Sequence, residues 1–546
     1  MRPRYEDKTA PCSSACPVGE DIAQVEMLVT QQRYMEAAKT ILEENPFPAI
    51  CGRVCYHPCE DVCNRAEFDQ SIAIHNLERV VGDTLISNGK NLSIEKLPDN
   101  GKKIAILGAG PAGLSAAYFL SRLGFGCDIF EAQSEPGGLL RWGIPAYRLP
   151  GEILKSEIKR IENMGVKIHC GKAISKNYLD DFGHRYDAVF IGCGHGQSIQ
   201  LKIPGEKVAG EGLALLRKIR KGEVDALRGV VAVIGGGNAA IDVSRSLVRL
   251  GAKPILVYRR RRQDMPAFKE EIAMALDEGI ELRELVAPTQ IEGINGEILL
   301  TLQKMRISEM NAQGRARVVP DEGETETMRV QKIITAIGAE AEAHWHIPGP
   351  KERKRLNLGA CTLVAEKLPV IFGGDLTNPA KSITNAIASG KQAAIALDVF
   401  FQEGWDAIEQ KLGDCRIANG PSLSMEIYLK GNRRNRSSHV VSFSDINSDY
   451  FQSNSRVLPP LIAMAKRVKS FMEVEQTFTA ETALEEAARC FNCGLCNNCD
   501  NCMIFCPEVA VVIEEMRRIN LDYCKGCGIC VVECPRNAMA LEEEEV

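Results

Sequence analysis

Ten cysteines lie between residues 490 and 534, and their spacing suits metal-bound thiolates. The pattern C-x-x-C-x-x-C-x-x-x-C-P occurs twice, beginning at Cys496 and again at Cys524. Zinc sites are typically built from two separated C-x-x-C pairs. Two complete runs that each end in proline instead favour 4Fe–4S clusters, which take four cysteine thiolates each.

The two runs resemble those of bacterial two-cluster ferredoxins, in which the fourth cysteine of each run binds the other cluster. Three closely spaced thiolates reach one cubane only from a tight loop, so the fourth ligand must come from across the fold. The predicted ligands of one cluster are Cys496, Cys499, Cys502 and Cys534. Those of the other are Cys506, Cys524, Cys527 and Cys530. A module of this kind handles single electrons, which the rest of the chain must supply or accept.

The composition of the 546-residue chain excludes several classes of protein. The length allows about three or four domains, and 45% hydrophobic with 25% charged residues is ordinary for a soluble globular protein. A net charge of −6 gives no electrostatic reason to expect nucleic acid as a partner. No apolar run reaches membrane-spanning length and the first residues contain no hydrophobic signal core, so we expect a cytoplasmic protein without a membrane span.

Six further cysteines lie near the N-terminus, around a stretch with apolar residues at helical spacing. They are Cys12, Cys16, Cys51, Cys55, Cys59 and Cys63. With the ten described above they make up 16 of the 21 cysteines. Disulfide-rich proteins are short and secreted, so this distribution favours metal ligation in a reducing compartment.

The motif CGRVC–PCE–C, followed by an IxxxE segment, resembles the N-terminal iron–sulfur domain of the glutamate synthase small subunit. The same domain occurs in dihydropyrimidine dehydrogenase and in transhydrogenase-type flavoproteins. The resemblance implies two 4Fe–4S clusters between a flavin and a partner site. The family pattern usually begins with an additional C-x-x-C pair, which is missing here because residues 1–11 contain no cysteine.

Cys490 and Cys493 lie in EEAARCFNCG, a segment whose local sequence matches that of the missing pair. The two ferredoxin-like runs do not need them as cluster ligands. We therefore hypothesise that they fold back to complete one cluster with Cys12 and Cys63. By the resemblance, the second cluster takes Cys16, Cys55 and Cys59, with Glu78 where relatives carry a Gln or Glu ligand, and Cys51 is spare. This brings the predicted total to four clusters. The alternative is that one N-terminal cluster is lost and Cys490 and Cys493 are free thiols.

A first dinucleotide site is predicted by the strand–turn–helix–strand pattern of KKIAILGAGPAGLSAAYFLSRLGFGCDIFEA. Gly108 makes the tight turn, Gly110 lets the backbone approach a pyrophosphate, and Gly113 lets the helix pack on the strand. Pro111 and Ala112 open the helix, whose N-terminus favours negative charge. Glu131 ends the second strand, where a carboxylate can accept hydrogen bonds from ribose hydroxyls.

Two later segments resemble the FAD domain of the same family. In EPGGLLRWGIPAYRLP, the resemblance places Gly137, Gly138 and Arg141 along the flavin. In VIFGGDLTNPAKSITNAIASG it implies a second FAD motif with Gly374, Asp375 on the ribityl chain, and Thr384 near the start of a helix. The N-terminal end of that helix would favour negative charge on the reduced flavin.

A second dinucleotide site is predicted in GVVAVIGGGNAAIDVSRSLVRLGAKPILVYRRRR. Its turn is Gly235-x-Gly237-x-x-Ala240, with Asn238 and Ala239 opening the helix. No acid follows the second strand. Four arginines follow instead, and arginines suit the 2′-phosphate of NADPH whereas a carboxylate suits NADH. We expect Arg259 and Arg260 to make the contact; the alternatives are NADH as the nucleotide and a merely solvated charged face.

These motifs predict a multidomain α/β chain with an NAD(P) domain inserted in an FAD domain. The predicted parts are a helical iron–sulfur domain (1–100), the first part of the FAD domain (101–200), the NAD(P)H domain (201–335), the second part of the FAD domain (336–405), a connecting strap (406–485) and an α+β ferredoxin-like domain (486–546). Both nucleotide-binding domains are expected to be Rossmann-like.

The predicted function is an NADPH-dependent oxidoreductase. Hydride would pass from NADPH to FAD, and single electrons would pass through the clusters to or from a ferredoxin or a partner redox enzyme. No catalytic side chain is predicted, because hydride transfer to a flavin needs no protein acid or base. The alternatives are the small subunit of a glutamate synthase and an electron-wire or scaffold subunit of a larger complex. We expect a redox partner protein, in a homodimer or a hetero-oligomer.

Overall fold

The computed structural model describes residues 1–89, 92–174, 182–294, 297–310, 316–342, 345, 347, 354–365, 368–431, 433–514 and 517–543. None of the helices in these ranges combines the length and the apolar character that a bilayer crossing requires.

The N-terminal part is a group of helices around a shared apolar core. The helices are α1 (Pro11–Ala15), α2 (Ile22–Thr30), α3 (Tyr34–Glu44), α4 (Pro48–Val54), α5 (Pro58–Asp61) and α6 (Ile74–Asn88). Two glycines allow α4 and α6 to touch backbone to backbone. A Cβ on Gly52 would lie 2.4 Å from the amide nitrogen of Arg79, and one on Gly82 would lie 2.4 Å from that of Ala49. The close contact fixes the end of α4, which is followed by Cys55 and by α5, the helix that carries Cys59.

The predicted FAD domain contains a seven-stranded sheet built from two stretches of chain. Its strands are β2 (Lys103–Leu107), β3 (Gly126–Phe130), β4 (Lys167–His169), β5 (Ala188–Ile191), β16 (Arg355–Asn357), β17 (Thr362–Ala365) and β18 (Pro369–Phe372). The order is β16-β17-β18-β5-β2-β3-β4, and β18, β5, β2, β3 and β4 run parallel. The first stretch of chain also contributes three helices, α7 (Pro111–Arg122), α8 (Leu139–Trp142) and α9 (Gly151–Glu162).

A second sheet is entirely parallel and lies between the two halves of the first along the chain. Its order is β10 (Glu281–Glu284), β9 (Lys253–Tyr258), β8 (Val230–Ile234), β14 (Lys332–Thr335) and β7 (Gly210–Glu211). The helices of this part are α10 (Gly212–Arg220), α11 (Asn238–Arg249) and α12 (Lys269–Asp277). The antiparallel strands β11 (Val286–Ile294), β12 (Glu297–Met310) and β13 (Ala316–Val330) complete it.

The chain enters and leaves this second part through two paired strands. β6 (Gln197–Ser198) and β15 (Ala339–Glu340) run antiparallel. After the return, α13 (Ile383–Gln402) packs against α7, where a Cβ on Gly390 would lie 2.5 Å from the carbonyl oxygen of Ala112. The architecture confirms the predicted fold class, with one parallel nucleotide-binding unit inserted in another.

The segment after α13 lies on the N-terminal helices rather than hanging free. It contains α14 (Ile408–Asp414), α15 (Met425–Lys430), α16 (Met464–Arg467) and α17 (Ala480–Ala488). Arg53 on α4 donates to Glu473 at 2.7 Å. The carboxylate of Glu486 on α17 accepts from the amide of Ala73 at 2.8 Å. These contacts bring the start of the C-terminal cysteine group to the N-terminal helices.

The C-terminal part is small and shares a sheet with the first residues of the chain. Its elements are α18 (Asn501–Ile504), β19 (Val511–Ile513), β20 (Arg517–Ile519), α19 (Ile529–Val532) and β21 (Met539–Glu542). β1 (Arg2–Tyr5) pairs antiparallel with β21. The amide of Lys8 also donates to the carbonyl of Gly494 at 2.9 Å. The N-terminus therefore fastens the ferredoxin-like part to the body of the protein.

Candidate functional site

The first glycine turn, between β2 and α7, has the backbone that a dinucleotide requires. Gly108 has φ +98°, and a Cβ there would lie 2.6 Å from the carbonyl oxygen of Gly192. A Cβ on Gly113 would lie 2.0 Å from the carbonyl oxygen of Gly108, so the helix packs directly on the turn. Gly110 caps α7, and the nearest atom to its position for a Cβ is Gly138 Cα at 3.9 Å. Open space at a helix N-terminus fits a phosphate group.

Glu131 follows β3 directly and is only 7% exposed. Its carboxylate accepts from the amide of Ala109 at 2.9 Å and from that of Gln133 at 2.8 Å. It therefore ties the glycine turn to the end of the next strand. Because a carboxylate offers about four acceptor positions, it can still accept from ribose hydroxyls.

The predicted flavin residues of the next segment surround the same turn. Gly138 has φ +52°, and a Cβ there would lie 2.8 Å from Gly110 Cα. The guanidinium of Arg141 donates to the carbonyl of Pro136 at 2.6 Å and lies 2.9 Å from the carboxylate of Glu135. Arg141 therefore braces the loop, which is compatible with the predicted position along the flavin.

The second FAD motif lies where β18 meets α13. Asp375 is in a single helical turn, Gly374–Leu376, and the amide of Gly374 donates to Ser389 Oγ at 2.8 Å. Burial raises the pKa of Asp375, and the nearby Lys381 and His195 side chains oppose that shift. Thr384 is 3% exposed in the first turn of α13. Thr384 thus lies at the start of the helix that the resemblance assigns to the flavin, and Asp375 lies in the turn that precedes it.

The second glycine turn, between β8 and α11, repeats the geometry of the first. A Cβ on Gly235 would lie 2.3 Å from the carbonyl oxygen of Ala336. Gly237 caps α11, and a Cβ there would have no atom within 4 Å. Ala240 is buried, Ala239 is half-buried, and Asn238 accepts from the amide of Phe268 at 3.0 Å. The turn is therefore open where a nucleotide diphosphate would lie and closed where the helix meets the sheet.

The four arginines after β9 do not share one environment. Arg259 is exposed and Arg260 is half-buried. Arg261 donates to the carboxylate of Asp264 at 2.8 and 3.1 Å. The backbone amide of Arg262 donates to the carboxylate of Glu284. Arg261 is therefore engaged in a local ion pair with Asp264. Arg259 and Arg260 remain the residues predicted to recognise the nucleotide.

Each predicted ferredoxin-like cluster corresponds to one cavity. Cys496, Cys499, Cys502 and Cys534 line the first, together with Tyr5, Arg517 and Arg536. Cys506, Cys524, Cys527 and Cys530 line the second. Backbone N–H groups point at the sulfurs, with distances from nitrogen to Sγ of 3.3 Å for Ala510 to Cys506, 3.4 Å for Gly526 to Cys524 and 3.3 Å for Ala538 to Cys534. Donors of this kind suit thiolates that hold iron.

Four cysteines from opposite ends of the chain line a third cavity. They are Cys12, Cys63, Cys490 and Cys493. Asn492, with φ +48°, donates its amide to Cys490 Sγ at 3.3 Å, and Asn64 donates its side-chain amide to Cys493 Sγ at 3.4 Å. The grouping is the one hypothesised from the sequence. The donor set of four sulfurs in an apolar cavity fits a 4Fe–4S cluster.

The remaining predicted ligands form a buried group rich in negative charge. Glu78, which is 9% exposed, accepts from the side chain of Asn45 at 3.1 Å, and Asn45 also donates to Glu20 at 2.6 Å. Burial, followed by the charge of Glu20, raises the pKa of Glu78. Cys16, Cys55 and Cys59 interact electrostatically with one another. Such a set of buried acceptors fits a cationic group such as an iron–sulfur cluster.

Cys51, which is predicted not to be a cluster ligand, lies close to this buried group. It is 1% exposed, and burial, followed by the nearby Glu78, Cys55 and Glu20, raises the pKa of its thiol. The group therefore offers Cys51 and Glu78 as competing fourth ligands beside Cys16, Cys55 and Cys59.

Several residues at these sites have no signal in the sequence. Glu26 lines the cavity of Cys12 and Cys63, and one of its carboxylate oxygens is buried without a partner in the described structure. Tyr56 lies beside Asn385, in the first turn of α13. Arg536 lines the Cys496 cavity, and burial lowers its pKa. Each depends on chain segments that are far apart in sequence, so local spacing gave no indication of them.

A further polar group lies next to the Cys55–Cys59 loop. The side chains of His57, Glu60 and His75 place potential metal-binding atoms within 4.8 Å of one another. Glu60, however, already accepts from His75 Nδ1 at 2.7 Å and from Arg456 at 2.6 Å. These contacts satisfy Glu60 and tie the connecting segment to the loop.

Comparison with protein families matches three parts of the chain. Residues 5–90 match dihydropyrimidine dehydrogenase domain II, a 4Fe-4S cluster domain. Residues 102–305 match the pyridine nucleotide-disulphide oxidoreductase family. Residues 517–540 match a 4Fe-4S binding domain.

Three curated proteins illustrate the relationship. The NADP(+)-dependent formate dehydrogenase subunit beta of Moorella thermoacetica is 34% identical, over 89% of this chain and 70% of its own length. The NADPH-Fe(3+) oxidoreductase subunit beta of Geobacter sulfurreducens is 30% identical, over 90% and 76%. The glutamate synthase [NADPH] small chain of Escherichia coli is 31% identical, over 70% and 87%. The chain therefore belongs, as its motifs predicted, to the family of NADPH-dependent iron–sulfur flavoprotein oxidoreductases that includes the glutamate synthase small chain.

Proposed function

We propose that this chain passes electrons between NADPH and a partner redox subunit through FAD and four 4Fe–4S clusters. When bound, FAD would supply the hydride chemistry with NADPH, and the clusters would supply single-electron transfer. We further propose that the six segments predicted from the sequence are the functional domains and connecting segment of this electron relay. Their cysteine sites would use the ligand sets predicted from the sequence, with Cys490 and Cys493 completing the site of Cys12 and Cys63.

One observation carries the proposal: neighbouring cysteine sites are joined by single turns of chain. Cys12 and Cys16 are on consecutive turns of one helical segment, since the amide of Cys16 donates to the carbonyl of Cys12 at 3.1 Å, yet the two contribute to different sites. Cys59 and Cys63 are likewise four residues apart and assigned to different sites, and so are Cys502, which lies in α18, and Cys506, which follows it. Cys493 and Cys496 are three residues apart and lead from the N-terminal sites to the ferredoxin-like sites.

The two ends of this series of cysteine sites are suited to the entry and the exit of electrons. At one end, Tyr56 lies between Cys55 and Cys59 in sequence and beside Asn385 of α13, at the predicted flavin. At the other end, Cys527 is exposed at the surface. The order supported by these contacts is flavin, Cys16 site, Cys12 site, Cys496 site and Cys524 site. Short steps between adjacent centres are what a single-electron relay needs.

The residues of the two glycine turns bind and orient the nucleotides. The open space at Gly110 and at Gly237 admits a diphosphate at each helix N-terminus, and Glu131 would hold the ribose of FAD. Arg259 and Arg260 would bind the 2′-phosphate that distinguishes NADPH from NADH.

The partner is proposed to be a second redox subunit in the cytoplasm. Two of the relatives are named as beta subunits, one of an NADP(+)-dependent formate dehydrogenase and one of an NADPH-Fe(3+) oxidoreductase. By analogy, this chain would supply electrons to, or collect them from, a catalytic subunit. The exposed Cys527 end of the cluster series is the proposed contact.

An anaerobic titration with NADPH, and separately with NADH, tests the proposal. We expect NADPH to bleach both flavin and cluster absorbance at near-stoichiometric concentration. Gly237→Val should abolish bleaching by NADPH while dithionite still reduces the protein, because the side chain would occupy the open nucleotide space. Gly293→Val is the matched control, since its Cβ also meets no atom within 4 Å but lies on β11. Preference for NADH would overturn the assignment of the arginines, and bleaching by neither nucleotide would overturn the proposed direction of entry.

A further inference from the structure

A single arginine lies between two of the cysteine sites. Arg536 follows Cys534 and lines the cavity of Cys496, Cys499, Cys502 and Cys534. Its guanidinium donates to the carbonyl of Phe491 at 2.5 Å. Phe491 lies between Cys490 and Cys493 along the chain, and both of these cysteines line the neighbouring cavity. The backbone carbonyl of Arg536 also accepts from the amide of Gly494 at 2.6 Å. Its side chain and its backbone therefore both join the two sites.

The charge of Arg536 is not neutralised by a carboxylate. Within the described ranges, no carboxylate oxygen lies within 4.0 Å of its guanidinium, and its Nε is buried without a hydrogen bond. Burial lowers the pKa of Arg536, and nearby cysteines of both sites, Cys499, Cys490, Cys534 and Cys493, oppose that shift. Phe451 covers its guanidinium, with the ring centroid 5.2 Å away. A partly buried cation shielded by an aromatic ring interacts strongly with nearby charge, because little solvent screens it.

Arg517 provides the contrast within the same cavity. It also lines the Cys496 cavity, but its guanidinium lies 2.7 Å from the carboxylate of Asp500. The pair has little net charge, so its effect on a neighbouring cluster is small. Arg536 and Arg517 thus line the same cavity, but in the described structure a carboxylate neutralises the positive charge of Arg517 and not that of Arg536.

We propose that Arg536 is a shared cation that raises the reduction potentials of two adjacent clusters, one on Cys12, Cys63, Cys490 and Cys493 and the other on Cys496, Cys499, Cys502 and Cys534. The inference rests on the proposed relay and its ligand sets. Each cluster gains one negative charge when it accepts an electron, so a fixed cation favours the reduced form. Because the same cation lines one cavity and is bonded to the segment that carries Cys490 and Cys493, it raises both potentials together. It would therefore make both clusters easier to reduce while leaving the difference between their potentials nearly unchanged.

Redox titration of the holoprotein followed by electron paramagnetic resonance tests the inference. We expect Arg536→Gln to retain its iron and to lower the ratio of reduced to oxidised cluster at a fixed potential by about tenfold, or ~59 mV for one electron, at both sites. Arg536→Lys keeps the charge, so both ratios should stay within about threefold of the wild type. Arg517→Gln should likewise stay within about threefold, because Asp500 already compensates that arginine.

The outcomes separate the inference from the proposed function. Unchanged potentials in Arg536→Gln with full iron would overturn the role of Arg536. If that variant loses iron, the lysine variant decides: a shift of about tenfold despite the retained charge would also overturn the inference. If the wild type lacks the cross-terminal cluster, the ligand set of the proposed relay is wrong. A shift at the Cys496 site would then still be expected from Arg536, but the shared role would be lost.

Discussion

The hydroxyl of Tyr5 lies 3.1 Å from Sγ of Cys502, although 497 positions separate the two residues along the chain. The contact exists because β1 pairs with β21, with Tyr5 opposite Met539. The first strand of the protein therefore does more than fasten the ferredoxin-like part. It supplies a hydrogen-bond donor to a proposed cluster ligand.

We predict that Tyr5→Phe lowers the reduction potential of the cluster on Cys502 alone. A hydrogen bond to a charged group contributes about 1.5 kcal/mol, and the part of it that is gained on reduction sets the potential. The ratio of reduced to oxidised cluster at a fixed potential should therefore fall, by at most about tenfold. Iron content should be unchanged because the thiolate remains. Redox titration measures the shift. Tyr450→Phe is the control, since the exposed Tyr450 hydroxyl bonds to Glu533 rather than to a cysteine. An unchanged potential at full iron content would show that the Tyr5 contact has no electronic effect.

We predict that the double variant Cys490→Ser, Cys493→Ser loses about four irons per chain. Both sulfurs line the same cavity as Cys12 and Cys63, and two serines cannot replace two thiolates in a cubane. Iron analysis of anaerobically purified protein measures the loss. Cys170→Ser is the control, because Cys170 is half-exposed and lies outside all three cysteine cavities. Full iron content in the double variant would favour the alternative that these two cysteines are free thiols.

The features that were predictable from sequence are local ones. The turns at Gly108 and Gly235 each combine a strand, a glycine spacing and a helix within a short stretch of sequence. The atoms that crowd these two glycines, the carbonyl oxygens of Gly192 and Ala336, come from distant parts of the chain. The ferredoxin-like runs are equally local, since three of four ligands lie within a single loop. The fold class followed from these units because parallel strands require crossover connections.

The features that sequence did not predict join distant segments. Tyr5 and Arg536 act on cysteines through the pairing of β1 with β21 and through the Phe491 carbonyl, and neither contact leaves a spacing in the sequence. Glu20 and Asn45 surround Glu78 only because α2, α3 and α6 pack together. The proximity of Cys490 to Cys12 is predicted from the resemblance of the local sequence to a family motif. Residue spacing and hydrophobic pattern do not indicate it.

We predict that Glu78, and not Cys51, is the fourth ligand of the Cys16 site. Glu78→Ala should lose about four irons per chain, whereas Glu78→Gln, which keeps an oxygen donor, should keep them. Cys51→Ala should retain full iron content and an unchanged signal of the reduced cluster. Iron analysis with electron paramagnetic resonance measures both properties. Loss of iron in Cys51→Ala together with retention in Glu78→Ala would reverse the assignment, since both side chains lie in the same buried group.

We predict that Arg259 and Arg260 select NADPH over NADH. Replacing both with Gln should raise the KM for NADPH about 100-fold, because charge-assisted hydrogen bonds to the 2′-phosphate are lost. The KM for NADH should change less than about threefold, since NADH lacks that phosphate. Inhibition by 2′,5′-ADP gives an independent measure of phosphate binding. Arg262→Gln is the matched control, because Arg262 is exposed and its contact with Glu284 is made by the backbone amide, which the substitution keeps. Equal effects on the two nucleotides would indicate a solvated surface patch.

We predict that Asp69 holds the connecting segment onto the N-terminal helices. Its carboxylate accepts from Arg65 at 2.7 Å, from Arg489 at 3.0 Å and from the amide of Asn454 at 3.0 Å. Burial opposes ionisation, but hydrogen bonds from Arg65, then from the Asn454 and Gln70 amides, hold the pKa of Asp69 well below its usual value. The stabilisation is therefore present in full above about pH 4 and is lost only as the pH falls through the lowered pKa.

The test of this anchor is hydrogen exchange near residue 454. Asp69→Asn leaves the buried guanidinium of Arg65 without its carboxylate, whereas Arg489 keeps its ion pair with Glu486. The loss should cost about 3 kcal/mol of local stability and raise exchange about 100-fold there. Protection in the wild type should not change between about pH 8 and about pH 6, because Asp69 stays ionised throughout. Glu67→Gln is the control, since Glu67 is exposed on the same short turn. If Asp69→Asn leaves exchange unchanged, the segment must be held by other contacts, such as Arg53 with Glu473 or Ala73 with Glu486.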